Sequence, residues 1–321
     1  MPPMTLSFDE VRKRFGTVQA LDGISFSVGP GQVFGFLGAN GAGKTTAMRI
    51  ALDMIRADSG SVTWQGTPTM DLPRRTFGYL PEERGLYPRM KVLDQLVFFA
   101  ALYGVPEGKA RREARDWLAR FRVPDYADRR ADQLSRGNQQ KIQVMAAILH
   151  DPAVLIMDEP FTGLDPVNVA LLKQAFLELR DRGKTLVFST HQMEMVEEVC
   201  DALAIIDQGR LVVQGTMREV KRSTGKQVVR LAVAGDPDLP WLAGLAGVTI
   251  TRSGRDYTEL EMGDGLDPES VLQAALAHGE RVTRFEIAEP SIERIFVEHV
   301  GRPVEAAEER TLAAPPSLVK A

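Results

Sequence analysis

One cysteine, Cys200, stands among 321 residues, so no internal disulfide is available and the composition suits a reducing compartment. It reads as a small apolar residue on a helix. Long apolar runs are missing too. The longest candidate, 96–105, reaches about half of the roughly 20 residues that a membrane-spanning helix needs, and Gly104 interrupts it. A secretory leader is not expected, because Phe8-Asp9-Glu10 and Arg12-Lys13-Arg14 fall where its apolar core would stand. A large excess of one sign of charge is missing as well: a formal net charge of −4 exerts no general pull toward nucleic acid or anionic lipid. These absences point to a soluble protein whose role at a membrane, if it has one, needs a partner. The hydrophobic fraction of 44% and charged fraction of 26% are ordinary for a globular chain, and the length suits two domains with separate cores.

What is present is concentrated in one stretch, 32–50, QVFGFLGANGAGKTTAMRI. A short apolar run, 33–37, reads as a buried strand, and a helical pattern follows from Lys44. Between them Gly38, Gly41 and Gly43 fit G-x-x-x-x-G-K-[ST] at 38–45. Glycines let the backbone wrap a phosphate with its N–H groups inward, and the next helix adds the positive end of its dipole. Lys44 then reaches the terminal phosphates and the Thr45 hydroxyl ligates Mg²⁺. The stretch therefore predicts a nucleoside triphosphate site.

The remaining chain supplies further candidates. Residues 4–29 read as strands around a turn at Asp22-Gly23, with Phe15 ahead of it, either stacking on a purine or making an ordinary apolar contact. A strand at 77–80 leads into Pro81-Glu82-Glu83, and helical periodicity follows over 92–121. The arginines there interleave with Glu113 and Asp116, which reads as a solvated helix face and not a nucleic-acid surface. Leu134-Ser135-Arg136-Gly137-Asn138 opens a helix to about His150; Ser135 is a good cap, and Gly137 leaves the backbone open to an anion. The strand 154–157 ends in Asp158-Glu159. Two carboxylates at a buried strand tip repel unless a cation or proton intervenes. Mg²⁺ near Asp158, with Glu159 polarising a water, resolves that cost. Asp165 caps and Pro166 opens another helix, a central strand ends at Thr190-His191, and Gly209 marks a hairpin. The polar run 216–226 reads as a boundary. Beyond it the order βαββαβ predicts a small ferredoxin-like domain over 227–300, closed by a helix after Pro290. Residues 302–321 read as a disordered tail.

Taken together, the phosphate loop, LSRGN, Asp158-Glu159 after a strand, GLD and a strand-end histidine resemble the ATP-binding subunit of ABC transporters over about residues 4–220. The resemblance implies an α/β P-loop NTPase cassette: a RecA-like core, an antiparallel β subdomain and a helical subdomain at about 88–150, here followed by the ferredoxin-like α+β domain. It implies that Phe15 stacks on adenine and that 38–46, including Asn40 and Thr46, form the Walker A loop. By the same resemblance Asp158 closes Walker B, Glu159 is the catalytic carboxylate, Ser135 and Gly137 belong to the signature, Asp165 is the D-loop aspartate, and His191 is the switch histidine. It further implies ATP and Mg²⁺, a homodimer whose signature contacts the partner's γ-phosphate, and a permease on a separate chain at the inner face of the membrane. Arg136 and Asn138 depart from the commoner signature, and Glu82 stands where a glutamine is expected. GYLPEERGLYPRM and the ending PSIERIF are similar to a bacterial branch containing sodium and drug exporters. Glu82 either ligates Mg²⁺ or stays swung out until the permease docks.

The competing reading is an ABC ATPase acting on ribosomes or nucleic acid. Such chains usually carry two cassettes or a long coiled-coil insertion, whereas one cassette is present here and about 90 residues separate Thr45 from Ser135. A regulatory subunit that binds ATP without hydrolysis is opposed by the intact Glu159 and His191. The expectation is an ATPase that drives export.

Overall fold

The computed structural model describes residues 5–83, 85–234, 239–254, 256–263 and 265–301. The expected tail at 302–321 lies outside them. The chain divides into two compact units, Arg218–Glu298 being the second. The boundary falls within the polar run 216–226, where a short helix forms.

The first unit runs through β1 (Leu6–Phe15), β2 (Val18–Val28), β3 (Val33–Leu37), α1 (Lys44–Ala51), β4 (Ser59–Trp64), β5 (Thr67–Pro68) and β6 (Phe77–Leu80). Helices α2 (Val92–Leu102), α3 (Glu107–Arg120) and α4 (Arg136–Ile148) follow, then β7 (Val154–Asp158), α5 (Pro166–Asp181), β8 (Thr185–Thr190), α6 (Met193–Val199), β9 (Ala202–Asp207) and β10 (Arg210–Thr216); α7 (Met217–Arg222) straddles the boundary, all but its first residue falling in the second unit. The expected helical stretch 92–121 is thus two helices, broken where Gly104 takes φ +80° ahead of Pro106. Cys200 sits just past the end of α6, buried as expected.

Two sheets organise this unit. An antiparallel sheet has the order β2-β1-β4-β5, and a six-stranded sheet the order β10-β9-β3-β8-β7-β6. In the latter β6, β7, β8, β3 and β9 are parallel and β10 is an antiparallel edge. Strands β3, β7 and β8 are buried along their whole length, which is why they read as unbroken apolar runs and not as alternation. Phe26 joins the sheets: its ring stacks on Phe8 at 4.3 Å and on Phe34 and Phe36 at 5.5 and 5.3 Å. On the other side Phe161, Phe176 and Phe188 pack ring to ring at 5.3–5.8 Å. Helix α4 lies close against β6, because a Cβ at Gly78 would come within 2.3 Å of the Ala147 carbonyl.

The first hairpin departs from expectation. The chain reverses at Gly16-Thr17, and Asp22-Gly23 lie inside β2 where its register against β1 slips between Val11 and Arg12. The Asp22 carboxylate is held there by Arg12 and by Arg210, so its charge suits a strand. The Gly209 hairpin forms as expected, with Gln208 and Gly209 both left-handed at φ +47° and +77°.

The second unit carries β11 (Gln227–Val233), β12 (Val248–Ser253), β13 (Thr258–Met262), α8 (Glu269–Ala277), β14 (Val282–Ala288) and most of α9 (Ile292–Val300). The antiparallel order β12-β13-β11-β14 is the ferredoxin-like arrangement expected from βαββαβ. The first crossover is a 3₁₀ turn, Pro240–Gly244, in place of the expected α-helix. Val229, Leu231, Leu260 and Met262 form its core with Leu242, Val271 and Ala275.

Candidate active site

The phosphate loop is built by steric exclusion. Gly43, the residue before α1, has φ +114°, and a Cβ there would meet the Ala20 carbonyl at 2.6 Å and Leu21 at 2.9 Å. Gly38 is equally confined, with the Ile206 carbonyl 2.4 Å from its would-be Cβ. Asn40 and Gly41, at the loop's crest, are exposed, and Thr46 is half-buried one position into α1 beyond Thr45. The Lys44 amine, buried, donates to the carbonyls of Gly38 and Ala39 at 2.6 and 3.2 Å and lies 4.0 Å from Glu159 Oε1.

Parallel pairing of β3, β8 and β7 brings the other motifs together at the C-terminal ends of these strands. Leu37 pairs with Thr190, and Asp158 with Ser189. The Thr45 hydroxyl donates to Asp158 Oδ2 at 2.7 Å, and Ser189 Oγ donates to Asp158 Oδ1. Ser189 Oγ also accepts the Glu159 N–H at 3.1 Å. Glu159 Oε1 accepts from His191 Nδ1 at 3.0 Å, and Oε2 from the Thr162 hydroxyl at 3.2 Å. Each oxygen of this buried acidic pair has a donor, so hydrogen bonds offset in the free chain the repulsion that the sequence assigned to a cation.

Glu82 is exposed on the loop after β6. Partial burial and then the charges of Asp158 and Glu159 push its carboxyl above the usual range, with Lys44 opposing. Among the described residues no three or more His, Cys, Asp or Glu side chains converge as a metal site. Thr45 and Asp158 nevertheless suit Mg²⁺, which commonly takes one or two carboxylates, phosphate oxygens and water. Phe15 ends β1 and is exposed, with the Lys13 amine 5.4 Å from its ring centre.

Ser135, Gly137 and Asp165 form a second cluster. Ser135 caps α4, accepting from the Asn138 N–H at 3.4 Å. Asp165 caps α5 with both oxygens engaged, from Asn168 N at 3.0 Å and Asn168 Nδ2 at 2.6 Å. Asn168 and Leu164 lie 3.4 and 3.5 Å from where a Gly137 Cβ would stand. Sequence reading missed Ser189, Thr162 and Gln140, whose amide donates to the Pro160 carbonyl at 3.1 Å. A serine following the apolar run 186–188 of β8 was the one available signal for Ser189.

Comparison with known proteins agrees with this geometry. The ABC transporter family model matches residues 21–162, and that of the DrrA1-3-like ATP-binding protein C-terminal domain matches 215–300. The chain is 45% identical to the ABC transporter ATP-binding protein YhaQ of Bacillus subtilis strain 168, over 92% of this chain and 98% of that one. It is 31% identical to the linearmycin resistance ATP-binding protein LnrL of the same organism, again over 92% and 98%. A solved ATP-binding subunit of an ABC transporter superposes with TM-score 0.64 at 29% identity, covering 68% of this chain and 93% of that one. No helix among the described residues is long and apolar enough to cross a membrane, and subunits of this kind act with separate membrane permeases. The chain belongs to the ABC transporter family, as an ATP-binding subunit that hydrolyses ATP.

Proposed function

We propose that this chain powers export through a membrane permease as one half of a homodimer with two composite Mg²⁺–ATP sites. The observation that carries this reading is Gly137. Its φ is not left-handed, and a Cβ there would meet nothing closer than 3.4 Å among the described residues, so none of them demands glycine. The open backbone beside Ser135 suits a phosphate brought by a second copy. The export direction draws support from the resistance function in the name of LnrL.

In this reading Phe15 stacks on adenine and the loop 38–46 wraps the phosphates. Lys44 exchanges the carbonyls of Gly38 and Ala39 for phosphate oxygens. Thr45 and Asp158 hold Mg²⁺, with Glu82 either joining them or staying out until the permease docks. Bound Mg²⁺ offsets charge on the phosphate oxygens. The Glu159 carboxylate orients the attacking water, and His191 holds that carboxylate in place.

Permease docking fits a cavity of about 150 Å³ between the loop after β6 and helices α2 and α4, lined by Leu86, Phe99, Tyr103, Gln143, Ala146 and His150. His150 Nε2 sits 2.9 Å from the Phe77 carbonyl, which only accepts, so this nitrogen carries the proton and Nδ1 is a bare acceptor. Gln143 Nε2 donates to the Glu83 carbonyl, leaving Oε1 as the other acceptor. Both atoms are buried without partners among the described residues. A permease segment with hydrogen-bond donors two helical turns apart would satisfy them.

Glu159→Gln tests the core of the proposal. It is expected to keep ATP binding and to lose turnover by roughly 10²–10⁴-fold, the usual weight of a general base. ATP should then hold a dimer visible by light scattering. Wild-type turnover, or a monomer in saturating ATP, would refute the assignment.

A further inference from the structure

The turn that carries Glu159 is held from two sides by residues outside the motifs. We propose that Thr162 and Gln140 are positioning residues for the Glu159 carboxylate, and that Gln140 ties its position to the helix bearing Ser135 and Gly137.

Glu159 has φ +49°, a left-handed conformation that a glutamate keeps only where its surroundings over-determine it. Three contacts do so. The chain folds back so that the Thr162 N–H bonds the Glu159 carbonyl at 3.2 Å, which sets the Thr162 hydroxyl on Glu159 Oε2 at 3.2 Å. With His191 on Oε1 at 3.0 Å, each carboxylate oxygen has its own donor, and the plane of the group is set. Between them Phe161 is 2% exposed and packed on Phe176 and Phe188, so the turn is anchored in the core.

The third contact comes from α4. Pro160 has no N–H, so its carbonyl is the one backbone hydrogen-bonding group by which a neighbour can hold that residue, and Gln140 Nε2 donates to it at 3.1 Å. Gln140 lies one turn beyond Gly137 on the same helix. A shift of α4 when Ser135 and Gly137 engage the second copy's nucleotide is thereby passed to the turn of this copy's own base. This rests on the proposed dimer and on Glu159 as base.

Steady-state ATPase measurements on the full chain test it. Thr162→Val is expected to lower kcat about tenfold, the weight of one hydrogen bond to a charged group, with KM for ATP within about twofold. Thr162→Ser should restore kcat to within about threefold of wild type, and Thr162→Val should cause no further loss in the Glu159→Gln background, read in single turnovers. Gln140→Leu should lower kcat in the same sense and bring the Hill coefficient for ATP toward unity. Where the valine variant does not fold, as its melting curve will tell, Thr162→Ala takes its place. Wild-type kcat in Thr162→Val, failure of serine to restore it, or full additivity with Glu159→Gln would overturn the positioning of the base. An unchanged Hill coefficient in Gln140→Leu would overturn the link to α4. An active Glu159→Gln would instead sink the proposed function itself, so the two failures are distinguishable.

Discussion

Ser189→Ala removes one hydroxyl from a site with no access to water. Ser189 is 0% exposed and Asp158 2% exposed. The lost oxygen donates to Asp158 Oδ1 and accepts the Glu159 N–H, but that N–H keeps the Ser189 carbonyl at 3.2 Å. The net loss is therefore one hydrogen bond to a buried carboxylate, about 2 kcal/mol. For a unit of this size each kcal/mol lowers the melting temperature by roughly 2–4 °C, so a fall of about 4–8 °C is expected in the first unit's transition. Asp158 also loses the group that orients it, and removal of such a support typically weakens metal affinity by roughly 10–100-fold. The Mg²⁺ concentration for half-maximal ATPase should rise accordingly. Thermal unfolding followed by circular dichroism, with a Mg²⁺ titration of ATPase rate, measures both. A transition within about 1 °C of wild type together with an unaltered Mg²⁺ requirement would show that this hydroxyl does not hold Asp158.

Mixing Ser135→Arg protein with Lys44→Ala protein should recover part of the activity, because one composite site in the heterodimer then has an intact loop facing an intact signature; no recovery despite demonstrated subunit exchange counts against shared sites. Glu82→Gln removes a negative charge near Asp158 and Glu159, so the isolated subunit's ATPase rate should rise and its stimulation by permease should fall; an unchanged ratio of permease-bound to free rate excludes Glu82 as a coupling element. His150 is held neutral mainly by burial, with the Phe77 carbonyl and Asp151 opposing and Lys184 assisting. Its folded pKa lies below the ordinary value of 6.5, so the stability it lends is present above pH 6.5 and is lost as pH falls below it. His150→Phe should flatten the melting temperature between pH 7 and 5, and an unchanged slope would refute the assignment.

Much of the site was legible because its chemistry is local in sequence. Gly38 to Thr45 carry their own geometry, and Asp158 ends, and His191 directly follows, strands whose apolar runs announce burial. The cap at Asp165 was legible for the same reason, since a carboxylate before Pro166 reaches N–H groups three residues on. What escaped was non-local. Ser189 matters only because β7 and β8 are neighbours with Asp158 opposite Ser189 in register, a pairing that no periodicity encodes. Gln140 acts on Pro160 across 20 residues, from a helix whose packing is decided by Gly78. The first hairpin was misplaced because Asp22-Gly23 has turn chemistry, while Arg12 and Arg210 pair the aspartate and let it stay in the strand. In the second unit the order βαββαβ identified the sheet. Pro240, by contrast, led into a single 3₁₀ turn too short for periodicity to distinguish from a helix.

The contact at Gly78 makes α4 a lever. With the Ala147 carbonyl pressed to β6 and His150 bonded to Phe77, the helix has its fulcrum near its C-terminal end. Gly137 stands ten residues up the arm, about 15 Å away at 1.5 Å per residue. A tilt of about 5° at the fulcrum carries Gly137 through about 1.3 Å, enough to make or break a phosphate hydrogen bond. Gln140, nearer the fulcrum, travels less. Substituting Gly78 would push the fulcrum itself outward, displacing the whole arm without touching any residue proposed to meet ATP.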